Sequence, residues 1–106
     1  MLVAFPFTDL TTNKMRPAVV LSSDSFNSEN LDIIVVAITS QIPKRVSASD
    51  HLLALDDQKA AGLPKQSLVK LGKIVTLDQR IIRKKLGQIS DPILSELTLK
   101  LHKILE

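Results

Sequence analysis

Cysteine, tryptophan and tyrosine are absent from this chain, and each absence closes off a chemistry. Without cysteine there is no disulfide framework, no thiolate nucleophile and no thiolate metal site. Phe5, Phe7 and Phe26 are the whole aromatic complement, so a broad platform for stacked bases is excluded. A nucleic acid would have to be held by charge and hydrogen bonds. The three glycines, Gly62, Gly72 and Gly87, make no phosphate-cradling loop, and none frames a serine as a nucleophile elbow requires. Asp9, Asp24, Asp32, Asp56 and Asp57 lack metal-ligand spacing, so neither a metal nor another cofactor is expected. No apolar run approaches the ~20 residues of a membrane span. Met1-Leu2-Val3-Ala4-Phe5 also lacks the cationic start of a signal peptide. A cytoplasmic protein with no membrane partner is expected.

What is present suits one compact domain over residues 1–106, with 44% hydrophobic residues. A chain of this length buries roughly 60–70% of its unfolded surface, so a second copy would add useful stability. The net charge of +3 is unevenly spread. Residues 1–64 carry five Lys/Arg against seven Asp/Glu, whereas residues 65–106 carry nine against four. A basic C-terminal half suits a polyanion or an acidic partner, and equally a solvated face.

Apolar patterning gives short strands. Leu2–Phe5 opens the chain as a strand, Thr8–Lys14 reads as a polar loop, and Ala18–Leu21 as a second strand. Ser22–Asn30, rich in Ser, Asn and Asp, reads as a loop. Leu31–Ile38 is the strongest strand signal, apolar on both faces as a central strand would be. Ser49–Leu55 is a weaker strand, Asp56–Pro64 a helical turn or loop, Ser67–Val75 a strand, Thr76–Arg80 a one-turn helix and Lys85–Ile89 a short strand. Asp91 then caps a terminal helix with Pro92 at its first position. Its Leu94, Leu97, Leu101, Ile104 and Leu105 make one apolar face, with Ser95, Lys100 and Lys103 opposite. About five to seven short strands and one convincing helix predict a mainly β, antiparallel α+β domain, a small barrel or curled sheet packed on a helix.

The chemistry concentrates around Arg16-Pro17. Pro17 biases Arg16 to an extended conformation, so a permanent guanidinium stands where the strand Ala18–Leu21 begins. Together with Phe5-Pro6-Phe7-Thr8-Asp9-Leu10 before it and Ala37-Ile38-Thr39-Ser40-Gln41 after it, this makes a phosphodiester the leading substrate class. His51 and His102 lie in other segments and read as structural rather than catalytic.

Pro6-Phe7-Thr8-Asp9-Leu10, Lys14-Met15-Arg16-Pro17-Ala18-Val19-Val20-Leu21-Ser22, Ala37-Ile38-Thr39-Ser40-Gln41, Gln66-Ser67-Leu68-Val69 and Ile74-Val75-Thr76-Leu77-Asp78 occur in that order. In this the chain resembles the MazF/PemK/Kid family of toxin endoribonucleases over essentially its whole length. The resemblance implies an SH3-like barrel with a C-terminal helix (the CcdB/MazF/Kid-like toxin fold), a homodimer, and metal-independent, sequence-selective cleavage of single-stranded mRNA. It further implies a cognate antitoxin whose acidic tail occupies the RNA groove. On the same ground Arg16 and Thr39 match the catalytic positions, and Ser40 and Gln41 complete an RNA-contacting motif. Lys70 falls where some members carry a second functional arginine, and Lys14, Lys70 and Lys73 lie beside the matched motifs as RNA contacts. The sequence departs from the pattern in starting past the usual basic-Gly-acidic opening. It also carries Gly72 where several members have a carboxylate proposed as a base.

In the chemistry so implied, the RNA 2′-hydroxyl attacks the adjacent phosphorus to leave a 2′,3′-cyclic phosphate. Arg16 would stabilise the phosphorane, and Thr39 and Ser40 would position the nucleophile, with the general base left open. Two other readings stay open: a toxin on the same scaffold that binds a protein target such as a topoisomerase without hydrolysis, and a catalytically retired relative.

Overall fold

The computed structural model describes residues 1–8 and 13–106, and only the backbone at residues 6–8, 13 and 14. The elements in chain order are β1 (Leu2–Thr8), β2 (Asn13–Val20), α1 (Asp24–Glu29), β3 (Asp32–Thr39), β4 (Asp50–Leu52), α2 (Leu55–Ala60), β5 (Leu68–Asp78), β6 (Lys84–Gly87) and α3 (Asp91–Leu105). A 3-10 turn over Gln79–Ile81 joins β5 towards β6. The strands form one antiparallel sheet in the order β4-β5-β3-β2-β1-β6. Among the described residues β4 and β6 are its two edges, so of the two expected forms, a small barrel or a curled sheet, the closed barrel is not the one present. The sheet carries the expected C-terminal helix.

Alternate residues of the central strands enter two cores, because successive strand side chains point to opposite faces. Leu2, Val19, Val36 and Ile38 join Ala61, Leu63 and Leu97 in one core, and Val3, Phe5, Ala18, Val20, Ile33 and Val35 form the other. Burial on both faces explains why β3 reads as a continuous apolar run, as its sequence suggests. Leu97 is the fully buried anchor of α3. The predicted apolar face of that helix fades towards its end: Leu94 and Leu101 are half-buried, while Ile104 and Leu105 are exposed.

Two backbone features shape the site. The β2–β3 ladder runs from Val20 opposite Val35 to Ala18 opposite Ala37, and ends at Pro17, which has no N–H to give. In the β3–β5 ladder Val36 faces Ile74 but Ala37 faces Lys70, leaving Leu71, Gly72 and Lys73 without counterparts. Such an insertion bends the strand that carries it.

Several boundaries differ from those expected. β2 starts at Asn13 and β1 reaches Thr8, so Arg16 and Pro17 lie within a strand rather than at its mouth; Asp9–Thr12 of the expected loop lie outside the described residues. The polar run Ser22–Asn30 contains α1. Its Ser23 hydroxyl accepts from the Phe26 N–H at 3.2 Å, and the Gln79 side-chain amide donates to the Asn27 and Asn30 carbonyls at 2.7 and 2.8 Å. The residues that suggested a loop are those that cap short helices. β5 extends through Asp78, beyond the expected end at Val75, and α3 begins at Asp91 with Ser90, not Asp91, in the capping position.

The first core, which holds Ala61 and Leu63 with Leu86 packed against it, is closed by a clasp between α2 and β6. Gly62 adopts φ +75°, and a Cβ there would meet the Leu86 carbonyl. A Cβ on Gly87 would lie 2.5 Å from the Ala61 carbonyl carbon and 2.6 Å from the Ala60 oxygen. The Gln88 N–H donates to that same Ala60 oxygen at 3.2 Å. Two backbones here approach too closely for any side chain between them.

Candidate active site

Where the β2–β3 ladder stops, the two strands line clefts instead of pairing. Carried two residues beyond Ala18–Ala37, their register sets Arg16 opposite Thr39. A cleft of about 710 Å³ is lined by Arg16, Thr39, Gln41, Lys70 and Lys73 together with apolar side chains that include Phe5, Ile38, Ile42 and Val75. That volume is ordinary for a small-ligand site, and its walls are mainly apolar with a few convergent polar groups. A second cleft of about 280 Å³ shares Arg16, Pro17, Ile38 and Thr39 and adds Ser40, Lys65 and Ser67.

Each polar group has a structural reason for its position. Arg16 is exposed in mid-strand, paired across β1 with Phe5, whose ring is buried in the second core. Thr39 is half-buried at the end of β3, and its hydroxyl oxygen accepts from the Gln41 N–H at 3.1 Å. That bond fixes the turn after β3 and leaves the hydroxyl proton to donate to a ligand. Lys70 sits between β3 and β4 in the sheet, with its Nζ 3.1 Å from the Asp50 Oδ2. Lys73 is exposed within the β5 bulge. Gly72 beside it faces open space, so a side chain there would meet no obstacle.

Five of the residues singled out from sequence therefore share the larger cleft, and Ser40 lies on the smaller one. The side chain of Lys14 lies outside the described residues. The loop residues Ile42 and Pro43, and the Asp50 partner of Lys70, carried no signal in the sequence. Arg80, Arg83, Lys84 and Lys85 line neither cleft. Arg80 is instead bound to Asp78, Nη2 to Oδ2 at 2.7 Å, and its hydrogen bonds hold the Asp78 carboxyl down to about 2. Among the described residues no three His, Cys, Asp or Glu side chains cluster as a metal site would need. No described helix is long and apolar enough to cross a membrane.

Neither histidine lines either of these two clefts. His102 is exposed near the end of α3. His51 is buried in β4, 3.2 Å from the Lys100 Nζ and 3.7 Å from the Glu96 carboxylate. An ammonium only donates, so the His51 Nδ1 is the unprotonated nitrogen. Burial and then Lys100 lower the His51 pKa, against the opposing pull of Glu96 and Asp57. Lys100, expected on the solvated side of α3, thus reaches over to β4.

A stability profile follows. The unfolded chain takes up the imidazole proton more readily than the folded one, so stability is full above the unfolded value of about 6.5 and falls as the pH drops below it. The urea midpoint should decline as the pH falls below about 6.5, and His51→Gln should flatten that slope. A wild-type midpoint that stays level over that fall in pH would contradict the assignment.

Comparison with known proteins gives a consistent result. Residues 1–105 match the family described as PemK-like, MazF-like toxin of type II toxin-antitoxin system. The chain is 31% identical over 96 residues to a protein named Endoribonuclease MazF from Staphylococcus saprophyticus, covering 85% of this chain and 78% of that one. Its fold is similar to that of MazF in a MazE-MazF crystal structure from Deinococcus radiodurans (TM-score 0.79, 24% identity, 98% of this chain and 91% of the other). It is also similar to an endoribonuclease in complex with its cognate antitoxin from Mycobacterial species (TM-score 0.74, 18% identity, 97% and 90%).

Proposed function

The chain belongs to the PemK-like, MazF-like family of type II toxins, and from that premise we propose that it cleaves single-stranded RNA at the cleft lined by Arg16, Thr39, Lys70 and Lys73. The observation that carries this reading is the convergence of three cationic side chains and one hydroxyl on a single cleft of about 710 Å³.

RNA carries its own nucleophile. The 2′-oxygen forms a bond to the adjacent phosphorus, the bond from phosphorus to the 5′-oxygen breaks, the 2′ proton departs and the leaving oxygen gains one. The products are a 2′,3′-cyclic phosphate and a 5′-hydroxyl. A guanidinium offers a planar donor fork that matches two phosphate oxygens and keeps its charge at any physiological pH. Arg16 is the group for the phosphorane's negative charge. The Thr39 hydroxyl, with its oxygen fixed by Gln41, holds a phosphate oxygen or the 2′-hydroxyl in line. Lys70 and Lys73 contact neighbouring phosphates and make binding salt-dependent.

The alternative of a toxin that only binds a protein would work through α3, whereas the convergent polar groups lie on β2, β3 and β5. For partners, we propose a homodimer and an acidic antitoxin. A solved relative is held in complex with its cognate antitoxin, and a cleft bearing three cations suits an acidic segment. Exposed Ile74 and Val75 on β5 and Leu99 and Leu105 on α3 offer apolar surface to a second copy.

Because the reaction uses the RNA's own hydroxyl, cutting should persist in excess chelator. Purified protein incubated with unstructured RNA and chelator is expected to give fragments ending in a cyclic phosphate and beginning with a 5′-hydroxyl. Loss of cutting on chelation, or fragments that begin with a 5′-phosphate, would contradict the mechanism.

A further inference from the structure

We infer that Asp50 is a positioning residue for this cleavage: its buried carboxylate pins the Lys70 ammonium at the wall of the larger cleft and offsets part of that cleft's positive charge. The inference rests on the RNA-cleaving reading above.

Asp50 opens β4 and stands directly opposite Lys70 in the β4–β5 ladder. Its side chain is 7% exposed against 32% for Lys70, and the Nζ to Oδ2 separation is 3.1 Å. A carboxylate so buried needs a charged partner, because an unpaired one would give up its hydration with nothing to offset the loss. Lys70 is that partner, and it is also the only one of the two that lines the cleft.

The anchor is the stiffer half of the pair. The Asp50 N–H donates to the Ser47 carbonyl at 3.0 Å, and the Asp50 carbonyl accepts from the Lys100 Nζ at 3.1 Å. Loop, neighbouring strand and terminal helix therefore all hold this residue. Lys70, by contrast, has a flexible four-carbon stem and is the last paired residue before the unmatched Leu71–Lys73. Left alone, its ammonium would sample many positions at the point where the ladder breaks. Bound to Asp50, it meets an incoming phosphate already placed, which favours turnover over mere attraction. The same carboxylate lies close enough to weaken the cleft's pull on a polyanion.

These two effects have opposite signs, which separates them from a simple loss of fold. Asp50→Asn keeps the shape and removes the charge. RNA should bind more tightly while each bound RNA is cut more slowly. The test uses full-length protein and a single-stranded RNA oligonucleotide spanning a site mapped with the wild type, with kcat and KM measured for Asp50→Asn, Lys70→Gln and the double variant. For Asp50→Asn we expect kcat to fall about 5- to 20-fold and KM to fall about 2- to 5-fold. Lys70→Gln should lower kcat at least as far and raise KM. Adding Asp50→Asn to Lys70→Gln should then change kcat by less than about twofold, because Asp50 acts through Lys70.

Additive losses in the double variant would overturn the inference. So would an Asp50→Asn enzyme with unaltered kcat, or one whose kcat falls only in step with its folded fraction at constant KM. Should Asp50→Asn not fold, Asp50→Ser closes the same cycle. A wild-type protein that leaves RNA intact would instead defeat the cleavage reading itself, whereas normal cutting with an additive cycle defeats the Asp50 assignment alone.

Discussion

Arg16→Ala should lose at least about 10²–10³ in cleavage rate, the usual cost of removing one preorganised donor to a developing oxyanion. The variant should still unfold in one cooperative transition, because Arg16 is exposed and belongs to neither core. Arg16→Lys separates charge from geometry. A lysine keeps the positive charge but presents a point donor in place of the planar fork, so it should recover RNA binding more fully than turnover. Measuring single-turnover rates with the enzyme in excess over a mapped oligonucleotide distinguishes the two. An Arg16→Ala variant that cuts at near the wild-type rate would remove Arg16 from the chemistry.

Gly87→Ala should be strongly destabilising for a change of a single methyl group. Its Cβ would lie 2.5 Å from the Ala61 carbonyl carbon and 2.6 Å from the Ala60 oxygen, and neither is the end of a flexible side chain. Relief requires α2 and β6 to separate, which would break the bond from the Gln88 N–H to the Ala60 carbonyl and loosen Ala61 and Leu63 in the core. A cost of about 3 kcal/mol or more is expected, lowering the melting midpoint by more than about 10 °C. Gly72→Ala is the matched control, since a Cβ there meets nothing within 4 Å. It should melt close to wild type. Equal stability of Gly87→Ala and Gly72→Ala would show that α2 and β6 do not approach as described.

The sequence made some of this legible and hid the rest for identifiable reasons. β3 was readable because eight residues of mostly Ile and Val carry a strong intrinsic preference and are buried on both sides. Arg16 and Thr39 were readable because the motifs holding them recur together in a known family. That both line one cleft depends on the β2–β3 register, which neither segment encodes alone. α1 was missed because Ser23, Asp24 and Asn27 favour caps and loops equally, and what decides between them is the distant Gln79 side chain. The three-residue bulge at Leu71–Lys73 left no trace, although Gly72 lies within it. The Asp50–Lys70 pair joins residues 20 apart through strand pairing, and local composition cannot reveal such a pair. Lys100 misled for a related reason: its spacing put it on the polar side of α3, but its long stem carries the ammonium to the Asp50 carbonyl.

The central claim is that RNA lies in the cleft between β2, β3 and β5. It is tested most directly by titrating isotope-labelled protein with a mapped oligonucleotide carrying a 2′-deoxy sugar at the cut site, which binds but lacks the nucleophile. Resonance shifts are expected to concentrate at Arg16, Thr39, Gln41, Lys70 and Lys73. Shifts confined to α3, with those five residues undisturbed at saturation, would contradict the account.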